Sequence, residues 1–312
     1  MVALGGNAVA PQGERPTIAN QFRHTRQSLA PIVELARAGW GIALVHGNGP
    51  QVGDELARNE LAAHQLEALP LGVLVAATAG WMGYMIQQSL QNALRHAGVE
   101  RQVVTVVTQT LCDAADPDLR RPTKPIGHAL DAATRQRLES RGQAVREDRP
   151  GRWRRLAPSP KPVRVVERKM IADLVSRGHI VVACGGGGPP VYDDPELGIE
   201  GLDAVVDKDR VAAVLGRELK AKALLILTDV DAVYTHFGTA HQERVARISL
   251  RDVERLLDGD ELGSGSMRPK VEAAADFVRN GGEGTRAIIA ELSRGLAALA
   301  GTAGTTITKE NG

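Results

Sequence analysis

Three lysines, Lys124, Lys208 and Lys270, sit in compact and unusual contexts: PTKPIG, DKD and GSMRPKVEA. A lysine braced by prolines, or flanked by two aspartates just past an apolar run, reads as a placed charge. Four glycine-rich turns accompany them, each where a short apolar run gives out. They are Leu4-Gly5-Gly6-Asn7, His46 to Gly53, Cys184 to Gly188, and Leu262 to Met267. Glycine lets backbone N–H groups approach an anion, and a helix N-terminus adds positive potential. Phosphoryl transfer uses such a set, because its charge is spread over oxygens and its catalysis is mostly positioning and neutralisation. No turn matches GxxxxGK[ST], which disfavours an ordinary P-loop enzyme. The trio Asp207, Lys208 and Asp209 also reads as a helix cap with its own ion pairs, and spacing alone leaves both readings open.

Other candidate chemistry is weaker. The aspartates of LTDVDAVY (227–234) suit Mg²⁺, the polar parts of a nucleotide, or only the amides of their turn. The 8 histidines show no HExxH spacing, and no GxSxG elbow is present. The 2 cysteines, Cys112 and Cys184, form no disulfide framework and point to a reducing cytoplasm. Arginines and lysines crowd residues 149–169, but only Trp153 interleaves and the net charge is +1. This run reads as a solvated lid face that attracts anions, and nucleic acid is not an expected partner. Residues 68–86 carry no charge, yet they contain a proline and three glycines and are followed by Gln87, Gln88 and Gln91. They read as a buried helix, with no membrane partner expected.

The elements that must hold these residues alternate. Strands are expected at Val2 to Leu4, Gly41 to Val45, Val103 to Val107, Ile180 to Ala183, Leu224 to Leu227, Ala287 to Ala290 and Thr305 to Thr308. Helices are expected over Ile18 to Ala38 with a bend at Pro31, and over Val52 to Leu66 and Gly72 to His96. Others are expected over Val166 to Arg177, from Asp209 to about Leu219, and over Pro269 to Arg279. Residues 113–163, rich in proline and arginine, read as an inserted lid. Such alternation predicts an α/β fold with a mainly parallel sheet covered on both faces, and ligands at the C-terminal strand ends. At 312 residues the chain can bury a sizeable core.

Taken jointly, the motifs resemble the carbamate kinase branch of the amino acid kinase family. The matching stretches are ALGGNA (3–8), HGNGPQVG (46–53), GYMIQQ (83–88), PTKPIG (122–127) and WRRLAPSPKP (153–162). They continue with CGGGGPPV (184–191), DAVVDKD (203–209), LTDVDAVY (227–234) and GSMRPKVEA (265–273), nearly end to end. The resemblance implies a three-layer αβα sandwich, a mainly parallel sheet of about eight strands, and a small protruding lid. Residues 1–205 would form a substrate lobe carrying the lid at about 113–163, and 206–312 a nucleotide lobe. It also implies a cytoplasmic homodimer that interconverts ATP plus carbamate with ADP plus carbamoyl phosphate, using Mg²⁺ with the nucleotide.

By position, the resemblance gives Lys124, Lys208, Asp209 and Lys270 the catalytic work. Lys124 reaches from the lid, Lys208 and Lys270 neutralise phosphates, and Asp209 orients the lysines. Gly5, Gly6, Asn7, Gly47, Asn48, Gly49, Gly185, Gly186 and Gly187 would cradle carbamate and the γ-phosphate. Thr228, Asp229, Val230, Tyr234, Gly265, Met267 and Lys270 would lie against the nucleotide. Ala3 fits this branch, which typically lacks the first-strand lysine of other amino acid kinases.

Three positions depart from the family pattern. Arg268 stands where glycine is usual, so it either adds a phosphate contact or crowds the turn. Pro189 replaces an aliphatic residue, and Ala79 a common glutamine. These departures keep open a relative acting on another small carboxylate or phosphonate. A nucleotide-binding regulator is a further reading, and retention of the three lysines and Asp209 speaks against it.

Overall fold

Strict alternation in the strands decides the architecture. In the computed structural model, Ala3, Ala43, Val45, Val181, Ala183, Leu224, Ile226, Ala287 and Ile289 join one hydrophobic cluster. Their neighbours Val2, Leu4, Ile42, Leu44, Ile180, Val182, Leu225, Leu227, Ile288 and Ala290 join another. Successive side chains of a strand point to opposite faces, so a strand apolar at every position must be covered on both sides. The structure describes residues 1–6, 9–10, 14, 17–259, 261–262 and 267–310.

These strands form an eight-stranded sheet. Its spatial order is Arg247–Ser249, Thr305–Thr308, Arg286–Glu291, Ala223–Thr228, Val2–Leu4, Ile42–His46, Ile180–Val182 and Val103–Thr105. All neighbours run parallel except Arg286–Glu291 with Thr305–Thr308. On one face lie the helices Arg168–Ser176, Lys208–Glu218, Leu250–Asp258 and Met267–Arg279, which contribute to the first cluster. The other face is covered by Ala30–Arg37, Leu71–His96 and Gly295–Leu299. The expected αβα sandwich is therefore present. No helix among the described residues is long and apolar enough to cross a membrane.

The expected long first helix is two helices, Ile18–Ser28 and Ala30–Arg37. Pro31 sits in the first turn of the second helix. Its missing N–H costs nothing there, so it starts a helix where the sequence suggested a bend. The proline-rich segment has more order than its composition suggests. Lys124–Leu130, Arg152–Ala157 and Val145–Arg149 form an antiparallel three-stranded sheet, and the helix Ala132–Ser140 follows its first strand. A separate four-stranded sheet joins Gly198–Gly201, Pro190–Asp194, Thr110–Cys112 and Pro162–Val165, at the two roots of that lid.

The lid rests on the body through backbone. A Cβ on Gly53 would fall 1.9 Å from Gly127 Cα. The last glycine of HGNGPQVG and the last of PTKPIG thus let a helix and a lid strand touch. Asp54 and His128 flank the contact at 3.1 Å, and Glu60 pairs with Arg155.

Candidate functional site

Strands that run parallel end together. Leu4, His46, Val182 and Thr228 finish on the same edge of the sheet, and the chain turns there through Gly5-Gly6, Gly47-Asn48-Gly49, Cys184 to Gly188, and Asp229. The first three predicted glycine turns are therefore neighbours, while the body of the fourth, residues 263–266, lies outside the described residues.

Their donors are not equivalent. Gly5 N–H donates to Leu227 O at 2.9 Å, and Gly47 N–H to Leu4 O at 3.2 Å. Both amides continue the strand ladder, so these two residues offer close approach and no free donor. In the turn from Cys184 to Gly188, the Gly187 N–H goes to Cys184 O and the Gly188 N–H to Gly185 O. Cys184, Gly186, Gly187 and Gly188 all have positive φ, at 51°, 67°, 93° and 74°. Gly186 lies over the Asn48 amide, which itself donates to Thr78 Oγ1 at 2.8 Å.

Gly6, Gly47, Asn48, Gly49 and Gly186 line a pocket of about 200 Å³ together with Lys124, Pro125, Ile126, Val206 and Lys208. Beside it, a cleft of about 740 Å³ lies between sheet and lid. Lys208, Asp209, Arg210 and Lys270 form one wall, and Lys124, Arg146, Arg149, Arg152 and Arg154 contribute to the other. Lys124 and Lys208 line both cavities. Eight basic and five acidic side chains line the larger cleft, so it favours an anion with several charges.

The sheet wall is built on one helix start. Asp207 caps the helix Lys208–Glu218 by accepting from Asp209 N at 2.9 Å and Arg210 N at 3.2 Å. Its other oxygen accepts from Lys124 Nζ, which ties the lid to the sheet. Lys208 Nζ meets Asp209 Oδ1 at 2.5 Å, and Lys270 Nζ meets Asp209 Oδ2 at 3.1 Å. One carboxylate thus holds two ammonium groups at a fixed separation. The cap reading and the ion-pair reading of this trio describe the same residues.

Burial and charge oppose each other here. Burial raises Asp207 and Asp209, yet the neighbouring lysines together hold both carboxyls below the usual range. Burial lowers Lys208, and repulsion from Lys270 adds to it against the pull of Asp209. Burial also acts against Lys270, but Asp209, Asp207 and Asp229 together raise it. His46, beneath the turns, is pushed down to about 4 by burial, and the charge of Lys208 adds to this. Its Nδ1–H donates to Gly47 O at 3.2 Å, and its Nε2 has no partner among the described residues.

Lys124, Lys208, Asp209 and Lys270 are thus brought together, and Gly6, Gly47, Asn48, Gly49 and Gly186 line the adjoining pocket. Gly185 and Gly187 belong to the same buried turn, packed on Ala79 and Val206. Thr228 ends the strand beside Gly5, and its hydroxyl donates to Asp229 at 3.0 Å. Val230 follows in the same loop. Tyr234 lies further out on the hairpin Val233–Thr235 with Glu243–Val245, where its O–H donates to Asp231. Met267 opens the helix that carries Lys270. Asn7 and Gly265 lie outside the described residues. Arg268 donates to Leu257 O and lies 3.5 Å from Glu272, so its guanidinium is occupied at the end of the helix Leu250–Asp258.

The sequence shows Asp207 as part of a helix cap and the lid arginines as an anion-attracting face, without assigning either to the catalytic or binding set. An aspartate just before a helix start was the available signal for the first. For the second it was the alternation in RWRRLA. Arg152 and Arg154 face the cleft, while Arg155 turns to Glu60 and Trp153 stacks under Arg135 at 3.3 Å.

Residues 1–291 match the model of the amino acid kinase family. The chain is 40% identical over 311 residues to the carbamate kinase of Pyrococcus horikoshii, covering 99% of this chain and 98% of the relative. It is 40% identical over 314 residues to that of Clostridium perfringens, covering 99% of each. Among solved structures, the carbamate kinase from Giardia lamblia bound to AMP-PNP is 34% identical with a TM-score of 0.89. The match covers 99% of this chain and 98% of that one.

Proposed function

The chain belongs to the amino acid kinase family and, within it, to the carbamate kinases, and from that premise we propose that it transfers a phosphoryl group reversibly between ATP and carbamate, giving ADP and carbamoyl phosphate. The observation that carries this reading is the pair of adjoining cavities. A small glycine-lined pocket suits a small planar anion, a larger basic cleft suits a polyphosphate, and Lys124 and Lys208 line both. The transferring group belongs where the two meet.

A carbamate oxygen attacks the γ-phosphorus in line, and the bond to the β–γ bridging oxygen breaks, leaving that electron pair on ADP. Carbamate is already an anion, so its oxygen needs no general base. The work is to hold two repelling anions together and to stabilise charge on the equatorial oxygens. Lys208 and Lys270, held by Asp209, serve that charge from the sheet, and Lys124 from the lid. The amides at Gly6, Asn48, Gly49, Gly185 and Gly186 face carbamate and the γ-phosphate. The loop from Thr228 to Tyr234, with Met267, faces the nucleotide. In this division residues 1–205 hold the small acid and 206–312 the nucleotide.

Mg²⁺ enters with the nucleotide, as part of the substrate. Asp207 and Asp209 already accept from lysines, and no group of three acidic, histidine or cysteine side chains among the described residues offers a separate metal site. The chain's own donors therefore suit phosphate oxygens better than a bare cation.

A homodimer is part of the same reading. Val73 and Tyr84 on the helix Leu71–His96 are 46% and 56% exposed, and an exposed apolar helix face suits an isologous contact. Sedimentation at graded concentrations tests it. For the reaction, purified protein is given carbamoyl phosphate, ADP and Mg²⁺, and ATP is measured. ATP formation is expected, and its absence would overturn the reading.

A further inference from the structure

Thr108 and Thr110 stand behind the turn from Cys184 to Gly188, and neither belongs to a glycine or lysine motif. Both are almost fully buried, at 1% and 0% exposure. Thr108 Oγ1 accepts from Cys184 N at 3.0 Å. Thr110 Oγ1 donates to Gly187 O at 2.7 Å, and Thr110 N donates to Pro189 O at 2.9 Å. Three hydrogen bonds from these two residues therefore hold Cys184 at the start of the turn, Gly187 within it and Pro189 at its exit.

The segment is itself anchored. Between the threonines, Gln109 donates from its backbone N at 2.8 Å and from its side chain at 3.0 Å to the two oxygens of Glu167.

The turn needs such support. Cys184 takes a left-handed conformation at φ 51°, which a side chain with a Cβ adopts at a cost. Three of the next four residues also have positive φ. A run of glycines has no intrinsic reason to hold this path, because glycine loses more conformational entropy than any other residue on being fixed. The turn is enclosed by His46 and Ala79 at Gly185, by Asn48 at Gly186 and by Val206 at Gly187, while the threonines close the back at Gly188. Among the described residues, the N–H groups of Gly185 and Gly186 have no hydrogen-bond acceptor, while those of Gly187 and Gly188 are used within the turn. The clamp therefore decides where the two remaining amides point.

We propose that Thr108 and Thr110 are positioning residues that fix the Gly185 and Gly186 amides for the small acid and its transferred phosphoryl, without touching the nucleotide. The inference rests on the carbamate kinase reading and adds two residues to its machinery. It also accounts for Pro189. With no N–H to donate and its carbonyl bound by Thr110, a proline fits at the exit of a turn that is gripped from behind.

The test is steady-state kinetics of ATP formation for Thr108→Val, Thr110→Val and the matching serine variants, with thermal melting in parallel. Each valine variant is expected to raise KM for carbamoyl phosphate roughly tenfold, the scale of one unmade buried hydrogen bond. KM for ADP is expected to stay within about twofold of wild type, and serine, which keeps the hydroxyl, is expected to restore most of the loss. If valine at position 110 gives insoluble protein, Thr110→Cys keeps the volume with a weak donor and takes its place. Equal changes in both KM values, or a serine variant as impaired as valine, would show a merely structural role and overturn the proposal. Wild-type protein that makes no ATP from carbamoyl phosphate overturns the underlying reading instead, so the two failures are distinguishable.

Discussion

The two walls of the cleft carry the same kind of charge on very different foundations. Lys208 and Lys270 on the sheet wall are 12% and 11% exposed, and both sit on one Asp209 carboxylate that is 4% exposed. Lys124 on the lid is 37% exposed and held by a single contact to Asp207. The sheet wall grows from helices packed on the main apolar core, whereas the lid buries few side chains of its own, such as Ile126 and Ala157 of its sheet and Leu138 of its helix. Charges fixed on a rigid scaffold are preorganised and serve stability as well as function. Charges on a thinly packed lid can move with the ligand, so their cost falls on turnover and not on folding.

The largest expected effect comes from Asp209→Asn. It leaves two buried ammonium groups facing each other with one carboxylate charge removed. A loss of about 3–5 kcal/mol in unfolding free energy is expected, as for a broken buried pair. Denaturant titration measures it. Asp148→Asn on the lid removes a partly solvated partner of Arg152 and Arg154, and about 1 kcal/mol or less is expected there. Equal losses would erase the contrast between the walls.

Lys124→Ala comes next. Its kcat is expected to fall by about 10²–10³, as when one preorganised charge-stabilising donor is removed. Its melting temperature should remain near wild type, because the side chain is partly solvated. Lys208→Ala should lower both quantities. A Lys124→Ala variant with near-normal turnover would remove the lid lysine from the mechanism.

The two walls were unequally legible in the sequence. The sheet wall was readable because parallel strands end in short turns, and those turns must carry glycine, aspartate and lysine. DKD showed both its cap and its charges. The lid was harder. Its strands are short, polar and proline-flanked, so period-two alternation is visible only in RWRRLA, and the three-stranded sheet went unread. The four-stranded sheet was missed for a different reason: Thr110–Cys112 and Pro190–Asp194 pair across about 80 positions of sequence, and no local pattern announces such a partner. The helix Leu250–Asp258 could have been found, since Ser249 accepts from Asp252 N in an S-x-x-D start. Thr108 and Thr110 had no motif because their work is to hold another segment.

A third prediction sharpens the contrast through pH. His46 lies under the sheet wall with its proton affinity depressed to about 4 by burial. A group whose folded pKa is depressed contributes stability that is present above its unfolded value and lost as pH falls. Between about pH 6.5 and 4, unfolding free energy should drop by about 3 kcal/mol from this residue. The depressed Asp207 and Asp209 act in the same sense but lower, with their contribution lost as pH falls below about 4. His46→Gln should flatten the upper window and leave the lower one. A wild-type profile that is flat from pH 6.5 to 4 would mean that His46 is solvated on a timescale the packed wall does not allow.

The smallest effect concerns the two thiols, one at the site turn and one at the root of the lid. Cys184 opens the glycine turn of the sheet wall, and Cys112 ends the strand at the root of the lid. Both are buried and pushed up to about 12, by desolvation in each case, with Asp116 adding to it at Cys112. The thiolate is the reactive form, so neither should alkylate in the native protein, and treatment with iodoacetamide at neutral pH should leave activity unchanged. Below the unfolding midpoint the two should stay together. Both are buried in the main apolar cluster, so opening of the lid alone uncovers neither. Peptide mapping after labelling in mild denaturant should therefore find Cys112 and Cys184 modified together. Earlier labelling of Cys112 would mean that the root of the lid parts from the core before the main sheet does, and the softness assigned to the lid would then extend to its root.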